Sequence, residues 1–373
     1  MNPERYLGLI SGTSRDGVDV AVVRTEGAHL AVEHTLTVPY PDSLRVAIDA
    51  LIQPGRRPAM NRLEPLDRSL GEFFAACALK ALQPLGLRAG DITAAGSHGQ
   101  TVWHEPEGPN PVSIQLGHGP TIAQCSGITT VYDFRRADLA AGGQGAPLAP
   151  LLHEQLFRGP DAGAVLNLGG IANLTLLQGP EVYGFDTGPA NCLLDLWVQE
   201  QRGLPYDEDG RWAASGTVLP ALLEQLLDEP YFQRPAPKST GLEQFNRAWL
   251  ARRLAAVDAA PEDIQATLLA LTVETVAAAL EHSSTVPPSS LWVCGGGVHN
   301  RAIMTALQQR LPGIRIASTA AQGVNPDALE ALLFAWLARE RLAGRPLNTP
   351  PVTGARHAVL LGTIATAQNQ GEL

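Results

Sequence analysis

Tyr6-Leu7-Gly8-Leu9-Ile10 runs directly into Ser11-Gly12-Thr13-Ser14-Arg15-Asp16-Gly17, and Val18-Asp19-Val20-Ala21-Val22-Val23 follows. A short apolar run, a cluster of turn-forming residues and a second β-rich run read as strand, turn and strand. Ala31–Val38 alternates like a third strand. The same order returns near residue 162. Ala164–Leu168 is apolar, Gly169-Gly170 makes a turn, Ile171–Leu177 is apolar again, and Glu181–Phe185 reads as the third strand. The two copies share little sequence, so the repeat is one of architecture.

Helical periodicity follows each copy. Predicted helices cover Ser43–Ile52 and Leu63–Leu82 after the first. After the second they cover Pro189–Gln201, Val218–Leu227, Leu242–Ala256 and Pro261–Glu281. Ile92–Ser97 and Leu291–Cys294 read as short buried strands. The latter enters Gly295-Gly296-Gly297 and a helix over Asn300–Arg310; Ala328–Leu342 is a further apolar-faced helix. Between Gly96 and Gly145 glycine, proline and polar residues crowd together, a composition too polar for core and typical of ordered functional loops. Interleaved β and helical stretches in both halves predict an α/β protein. The predicted lobes are 1–130 together with about 346–373, and 131–345, the tail beyond Pro346–Pro351 returning to the first lobe.

With 373 residues, 45% hydrophobic and 17% charged, the chain has material for two domains and a substantial core. Its net charge of −10 gives no global attraction for nucleic acid or anionic membrane, so neither is an expected partner. Any anionic ligand needs a local site. Cys77, Cys125, Cys192 and Cys294 form no C-x-x-C pair, which suits free thiols in a reducing cytoplasm. The opening Met-Asn-Pro-Glu-Arg has no signal-peptide layout, and apolar stretches such as Ala328–Ala338 fall short of the ~20 residues that span a bilayer. A cytoplasmic location is expected.

Several motifs carry chemistry, each with a plainer alternative. The turn Ser11–Gly17 offers backbone N–H groups and hydroxyls for an anion, and Asp16 and Asp19 could hold the waters of a metal ion; an ordinary hairpin turn uses the same residues. Asn167-Leu168-Gly169-Gly170-Ile171-Ala172-Asn173 is a second such turn. Gly295-Gly296-Gly297, between a strand and a helix, suits a purine or phosphate against the backbone, or a simple tight turn. Neither G-x-G-x-x-G nor a Walker motif is present. Asp186 in Gly184-Phe185-Asp186-Thr187-Gly188-Pro189 reads as a helix cap or as a general base. Ser97, His98, Gln100 and Trp103 are the hydrogen-bonding and stacking groups of a sugar wall. His98, His104 and His118 lack metal-site spacing. Arg135 and Arg136 beside Ala141-Gly142-Gly143-Gln144-Gly145 form either a solvated charge cluster or a carboxylate site.

Taken together, these stretches resemble the anhydro-N-acetylmuramic acid kinase family. Gly8–Asp19, Gly96–Thr101, Asp133–Pro147, Leu166–Asn173, Phe185–Asn191, Lys238-Ser239-Thr240-Gly241 with Phe245-Asn246, Cys294–Gly297, Asp327–Glu330 and Phe334-Ala335-Trp336 carry the resemblance through nearly the whole chain. Each is weak alone; their order and spacing are specific. The resemblance implies two ribonuclease-H-like, actin-type ATPase domains flanking a nucleotide and substrate cleft. It implies a kinase that opens a 1,6-anhydro sugar with water and phosphorylates the freed 6-oxygen, with ATP and Mg²⁺ as cofactors and a small-molecule sugar as partner. A homodimer stays open.

Carried onto this chain, Gly12, Thr13, Ser14, Arg15, Asp16, Gly17, Val18 and Asp19 would hold the phosphates, with Asp16 and Asp19 meeting Mg²⁺ through water. Asn167, Gly169, Gly170, Gly295, Gly296 and Gly297 would complete the ATP site. Asp186 would be the base that activates water, and Glu330 a second acid. Ser97, His98, Gln100, Arg135, Gly143, Gln144 and Gly145 would line the sugar pocket, Arg135 taking the lactyl carboxylate. Arg15 and Ala190 depart from the family pattern. The rival expectations are a simple sugar kinase acting on a free hydroxyl, a nucleotide switch of the actin or chaperone type, and a glycoside hydrolase that needs no ATP.

Overall fold

Strand β1 (Glu4–Ser11) pairs antiparallel with β2 (Gly17–Glu26), which pairs antiparallel with β3 (His29–Pro39). The structure, a computed structural model, describes residues 4–367 except 13–14, 28, 53–58, 107, 160–162, 179–181, 237 and 284–285. Thr13 and Ser14 therefore lie outside the described residues. The chain divides into two units, Met1–Leu152 with Ala328–Leu373, and His153–Asp327.

Numbering runs along the chain. In the first unit α1 (Asp42–Leu51) and α2 (Met60–Leu82) lead to β4 (Ala94–Glu105), which lies parallel to β1. Then come β5 (Val112–Leu116), α3 (Gly119–Ser126), β6 (Thr130–Tyr132) and α4 (Arg136–Ala140). Helix α5 (Ala149–Phe157) carries the chain into the second unit. There β7 (Gly163–Leu168), β8 (Ile171–Leu177) and β9 (Tyr183–Pro189) form an antiparallel meander. Helices α6 (Asn191–Arg202), α7 (Arg211–Ser215), α8 (Pro220–Leu227), α9 (Arg247–Leu254) and α10 (Pro261–Ser283) follow. Next are β10 (Ser290–Cys294), α11 (Arg301–Arg310) and β11 (Arg315–Ser318). The chain returns to the first unit through α12 (Leu329–Leu342), α13 (Pro350–Thr353) and β12 (Thr363–Ala365).

Among the described residues, the first sheet runs β12-β6-β4-β1-β2-β3 with β5 on β4, and the second runs β11-β10-β7-β8-β9. Each sheet contains the same order, third strand, second, first, fourth, with the fourth parallel to the first. This is the ribonuclease-H-like arrangement, present twice.

Both central strands are buried on both faces, which explains their continuous apolar runs. Leu7, Leu9, Val20, Val22, Leu70, Phe74 and Ile122 form one core cluster of the first unit. Leu166, Leu174, Phe185, Leu271, Val276 and Val293 lie in the core of the second. Helix α12 covers the other face of the first sheet, packing on β1 and β4. It is apolar nearly all round because it is buried nearly all round. A β-carbon at Gly8 would overlap Ala331 O, and one at Gly96 would overlap Phe334 O. Only glycine lets the helix backbone come this close to the sheet.

Several expectations need correction. Strand β6 belongs to the first sheet and α12 packs on it, so the units part near 152 and 328 rather than near 130 and 345. The stretch read as polar loop holds β5, α3, β6 and α4, and β4 runs on to Glu105. Its polar residues are tolerated because they bond to one another inside the fold. One helix among the described residues, α10, is long and apolar enough to cross a membrane. Most of it is buried inside the second unit, against β8, β9 and its neighbouring helices.

Candidate functional site

In the first unit the strand ladder places Ser11 beside Gln100. Ser11 Oγ donates to Gln100 Oε1 at 2.7 Å, and Gln100 Nε2 donates to Gly12 O at 3.3 Å and Thr101 O at 3.2 Å. Gln100 thus fixes the start of the opening turn. Past the turn, Asp16 O accepts from Tyr40 N, and Asp16 itself is exposed. Asp19 Oδ1 accepts from Thr37 Oγ1 at 2.6 Å on the neighbouring strand. Arg15 has a left-handed φ of 57° and pairs with Asp49 of α1 at 2.9 Å. The Val18 side chain is buried in the core.

His98 and Arg135 form one unit of structure. Arg135 Nε and Nη2 lie 3.1 and 2.8 Å from His98 Nε2. Arginine only donates, so Nε2 accepts; Nδ1 then carries the proton and donates to Gly99 O at 3.1 Å. Burial first, then the Arg135 charge, hold the His98 pKa well below its ordinary value. The imidazole is therefore a neutral prop for the guanidinium. His104 is pushed down to about 3 by the same two causes. Ser97 is buried, and its Oγ has no partner among the described residues.

The glycine-rich loop is anchored by Asp138, which is fully buried. Asp138 Oδ2 accepts from Gly145 N and Oδ1 from Thr353 Oγ1, both at 2.7 Å. Asp138 O accepts from Gly143 N, and Thr353 O accepts from Gln144 N, both at 2.9 Å. A residue far along the chain thus closes the loop that holds Gly143, Gln144 and Gly145.

In the second unit Asp186 sits inside β9, opposite Asn173 of β8. It is not a helix cap: α6 starts after Ala190, with no capping side chain. Asn173 Nδ2 donates to Asp186 Oδ1 at 2.9 Å, and Thr240 N donates to Oδ2 at 3.0 Å. The backbone is fixed too. Asp186 N donates to Lys238 O at 3.0 Å, and Tyr231 OH donates to Asp186 O at 2.7 Å. Asn173 Oδ1 is buried without a partner among the described residues.

The predicted glycine segments of this unit converge. Cys294 pairs with Asn167 across parallel β10 and β7. Gly295 has φ 77°, and its Cα approaches Asn167 and Leu168 so closely that a β-carbon would clash. The carbonyls of Gly169 and Gly170 accept from the N–H groups of Ala190, Asn191 and Cys192. The turn therefore caps the start of α6.

The sequence model of the family described as anhydro-N-acetylmuramic acid kinase matches residues 4–367. This chain belongs to that family. It is 50% identical over 368 residues to the anhydro-N-acetylmuramic acid kinase of Xanthomonas campestris pv. campestris strain 8004, covering 97% of both chains. It is 44% identical over 366 residues to the enzyme of that name from Aliivibrio fischeri, covering 98% of this chain and all of the other. Among solved structures, a ROK family glucokinase from Streptomyces griseus in complex with glucose and AMPPNP is 14% identical. The alignment covers 90% of this chain and 99% of that one, with a TM-score of 0.42.

Within the kinase family frame, the first unit brings together Ser11, Gln100 and the opening turn, and separately His98 with Arg135. The second brings together Asn167, Gly169, Gly170 and Gly295–Gly297. Glu330 is exposed in the first turn of α12, in the first unit, whereas Asp186 belongs to the second. Two clefts of the second unit, about 560 and 530 Å³, are lined by residues such as Arg202, Trp212, Trp197 and Leu254 and share none with the expected site. Sequence reasoning passed over Asn173, Tyr231, Lys238, Thr240, Asp138 and Thr353 as site-shaping residues. Asn173 was within reach, because pairing the two predicted strands of the second hairpin sets it opposite Asp186.

Proposed function

We propose that this chain is an ATP-dependent kinase that hydrolytically opens 1,6-anhydro-N-acetylmuramic acid and phosphorylates the freed 6-oxygen, with Asp186 as the base. The observation that carries the reading is the grip on Asp186: one donor on each carboxylate oxygen and two hydrogen bonds on its backbone. A general base needs that rigidity, because misaim costs rate.

Water attacks the anomeric carbon while Asp186 takes its proton. The bond from that carbon to the bridging oxygen breaks, releasing ring strain through an oxocarbenium-like transition state. The bridging oxygen takes the γ-phosphoryl group, ADP leaves, and the proton passes from Asp186 to solvent. Phosphoryl transfer needs positioning and charge neutralisation more than covalent help. In this reading Gly12, Asp16 and Gly17 with Gly169, Gly170 and Gly295–Gly297 bind the nucleotide. Arg135 binds the lactyl carboxylate, with His98 holding its orientation. Asp138 and Thr353 shape the Gly143–Gly145 wall, and Glu330 is a second acid.

Among the described residues no three His, Cys, Asp or Glu side chains form a metal cage. Exposed Asp16 fits a water-mediated contact with a hydrated Mg²⁺, and Asp19, bonded to Thr37, fits at most an outer role. Bound Mg²⁺ would supply positive charge to the phosphates of an acidic protein. The four free cysteines suit the reducing cytoplasm in which we place the enzyme.

The test is ATP consumption with the anhydro sugar, the free muramic acid and glucose, in isotope-labelled water with product masses. Label at the anomeric oxygen supports ring opening. Its absence, with a phosphorylated product, replaces this reading with a simple sugar kinase.

A further inference from the structure

Lys238 and Lys80 are the only lysines in a chain whose other basic residues are arginines. Lys238 is 6% exposed. Its Nζ donates to Phe232 O at 3.0 Å and Tyr231 O at 3.3 Å, and lies 4.9 Å from the centroid of the Tyr231 ring. A buried ammonium is costly unless paired and hydrogen-bonded. Here the groups that hold it lead back to one place. Tyr231 gives its hydroxyl to Asp186 O, Lys238 O takes Asp186 N, and two residues on Thr240 N meets the Asp186 carboxylate. Asp186, Lys238 and Tyr231 close a ring of contacts around the proposed base.

We propose that Lys238 is a positioning residue for Asp186: its buried ammonium locks the Tyr231–Phe232 segment to the Lys238–Thr240 segment, fixing the aim of the carboxylate. The proposal rests on the reading of Asp186 as the base. Burial lowers the Lys238 pKa, Arg234 adds to that, and Asp186 opposes it. The charged and titratable groups facing this cluster are Asp186, Arg234, Glu243 and the Tyr231 hydroxyl. Arg234 itself lies over the Tyr231 ring, 5.9 Å from its centroid. A nearby cation stabilises a carboxylate and lowers its pKa, so removing the cation raises it. The base works ionised, so activity on the acidic side would then be lost at higher pH.

The experiment compares pH profiles of kcat/KM for the wild type, Lys238→Gln, Lys238→Arg and Asp186→Asn, with melting curves for each. Lys238→Gln is expected to lower kcat by about 10- to 100-fold, as a misaimed catalytic group does, with KM for ATP unchanged. Its acidic limb moves up by about one pH unit, and Lys238→Arg restores the limb. An unmoved kcat and limb in Lys238→Gln overturns the proposal, as does an Arg variant no better than Gln. If Lys238→Gln does not fold, Tyr231→Phe asks the same question, since it removes only the hydroxyl on Asp186 O; an unchanged kcat there overturns the proposal. Asp186→Asn separates the two levels. Near-normal turnover in that variant defeats the base reading itself, whereas an inactive Asp186→Asn with an unshifted Lys238→Gln defeats only the role of Lys238.

Discussion

Gly8 and Gly96 are neighbours on parallel strands, and each lies directly against a carbonyl of α12, Ala331 O at the first and Phe334 O at the second. The seating of α12, which carries Glu330, therefore depends on two missing side chains. Gly96→Ala should push the helix outward and destabilise the fold by about 1–3 kcal/mol, as overpacking does. Gly90→Ala, where a β-carbon would meet open space, should stay within about 0.5 kcal/mol. Urea denaturation of both variants checks the contrast.

Asp186→Asn should keep ATP binding and lose turnover by at least ~100-fold. Asn cannot accept at both side-chain atoms, so either Asn173 Nδ2 or Thr240 N would face another donor. Calorimetric titration with nucleotide, beside steady-state rates, separates lost chemistry from lost binding.

Thr353→Ala removes the hydroxyl that donates to buried Asp138. An acceptor stripped of its buried partner costs about 1–3 kcal/mol. Because Asp138 also takes Gly145 N, the loop should loosen. The expected outcome is a raised KM for the sugar with KM for ATP unchanged, and Thr353→Ser should recover it. Equal effects on both substrates would count against this local role.

Asp195 on α6 gives a pH dependence. Burial, and secondarily Asp207, push its pKa from 3.8 up to about 7. Between those values the folded chain holds a proton that the unfolded chain releases, so this group lowers stability as pH rises, and the loss persists above pH 7. Asp195→Asn should therefore be more stable than wild type at pH 8, by at least about 1 kcal/mol after allowing for partial exposure, and no more stable near pH 4. Denaturant midpoints at the two pH values decide it.

Much of the architecture was legible because two strand–turn–strand units announce themselves by apolar runs broken by glycine. The β8 limits, Ile171–Leu177, follow directly from that pattern. The stretch from Gly96 to Gly145 misled, because its buried polar residues satisfy one another: Gln100 with Ser11, His98 with Arg135, Asp138 with Thr353. Composition cannot distinguish such a network from a loop. The domain limits were displaced for a related reason. Nothing in the apolar face of Ala328–Leu342 says which sheet it covers; the glycines that receive it are more than two hundred residues upstream. Asp186 was visible as a carboxylate between strand and helix, but its holders, Lys238 and Thr240, come from an irregular segment without periodicity.

The first unit is discontinuous, closed by α12 and β12 only after the whole second unit has been threaded. On the ribosome, the second unit emerges complete while the first still lacks the helix that covers Gly8 and Gly96. The inserted half can therefore mature ahead of its host, while the earlier sheet waits for the helix that covers one of its faces.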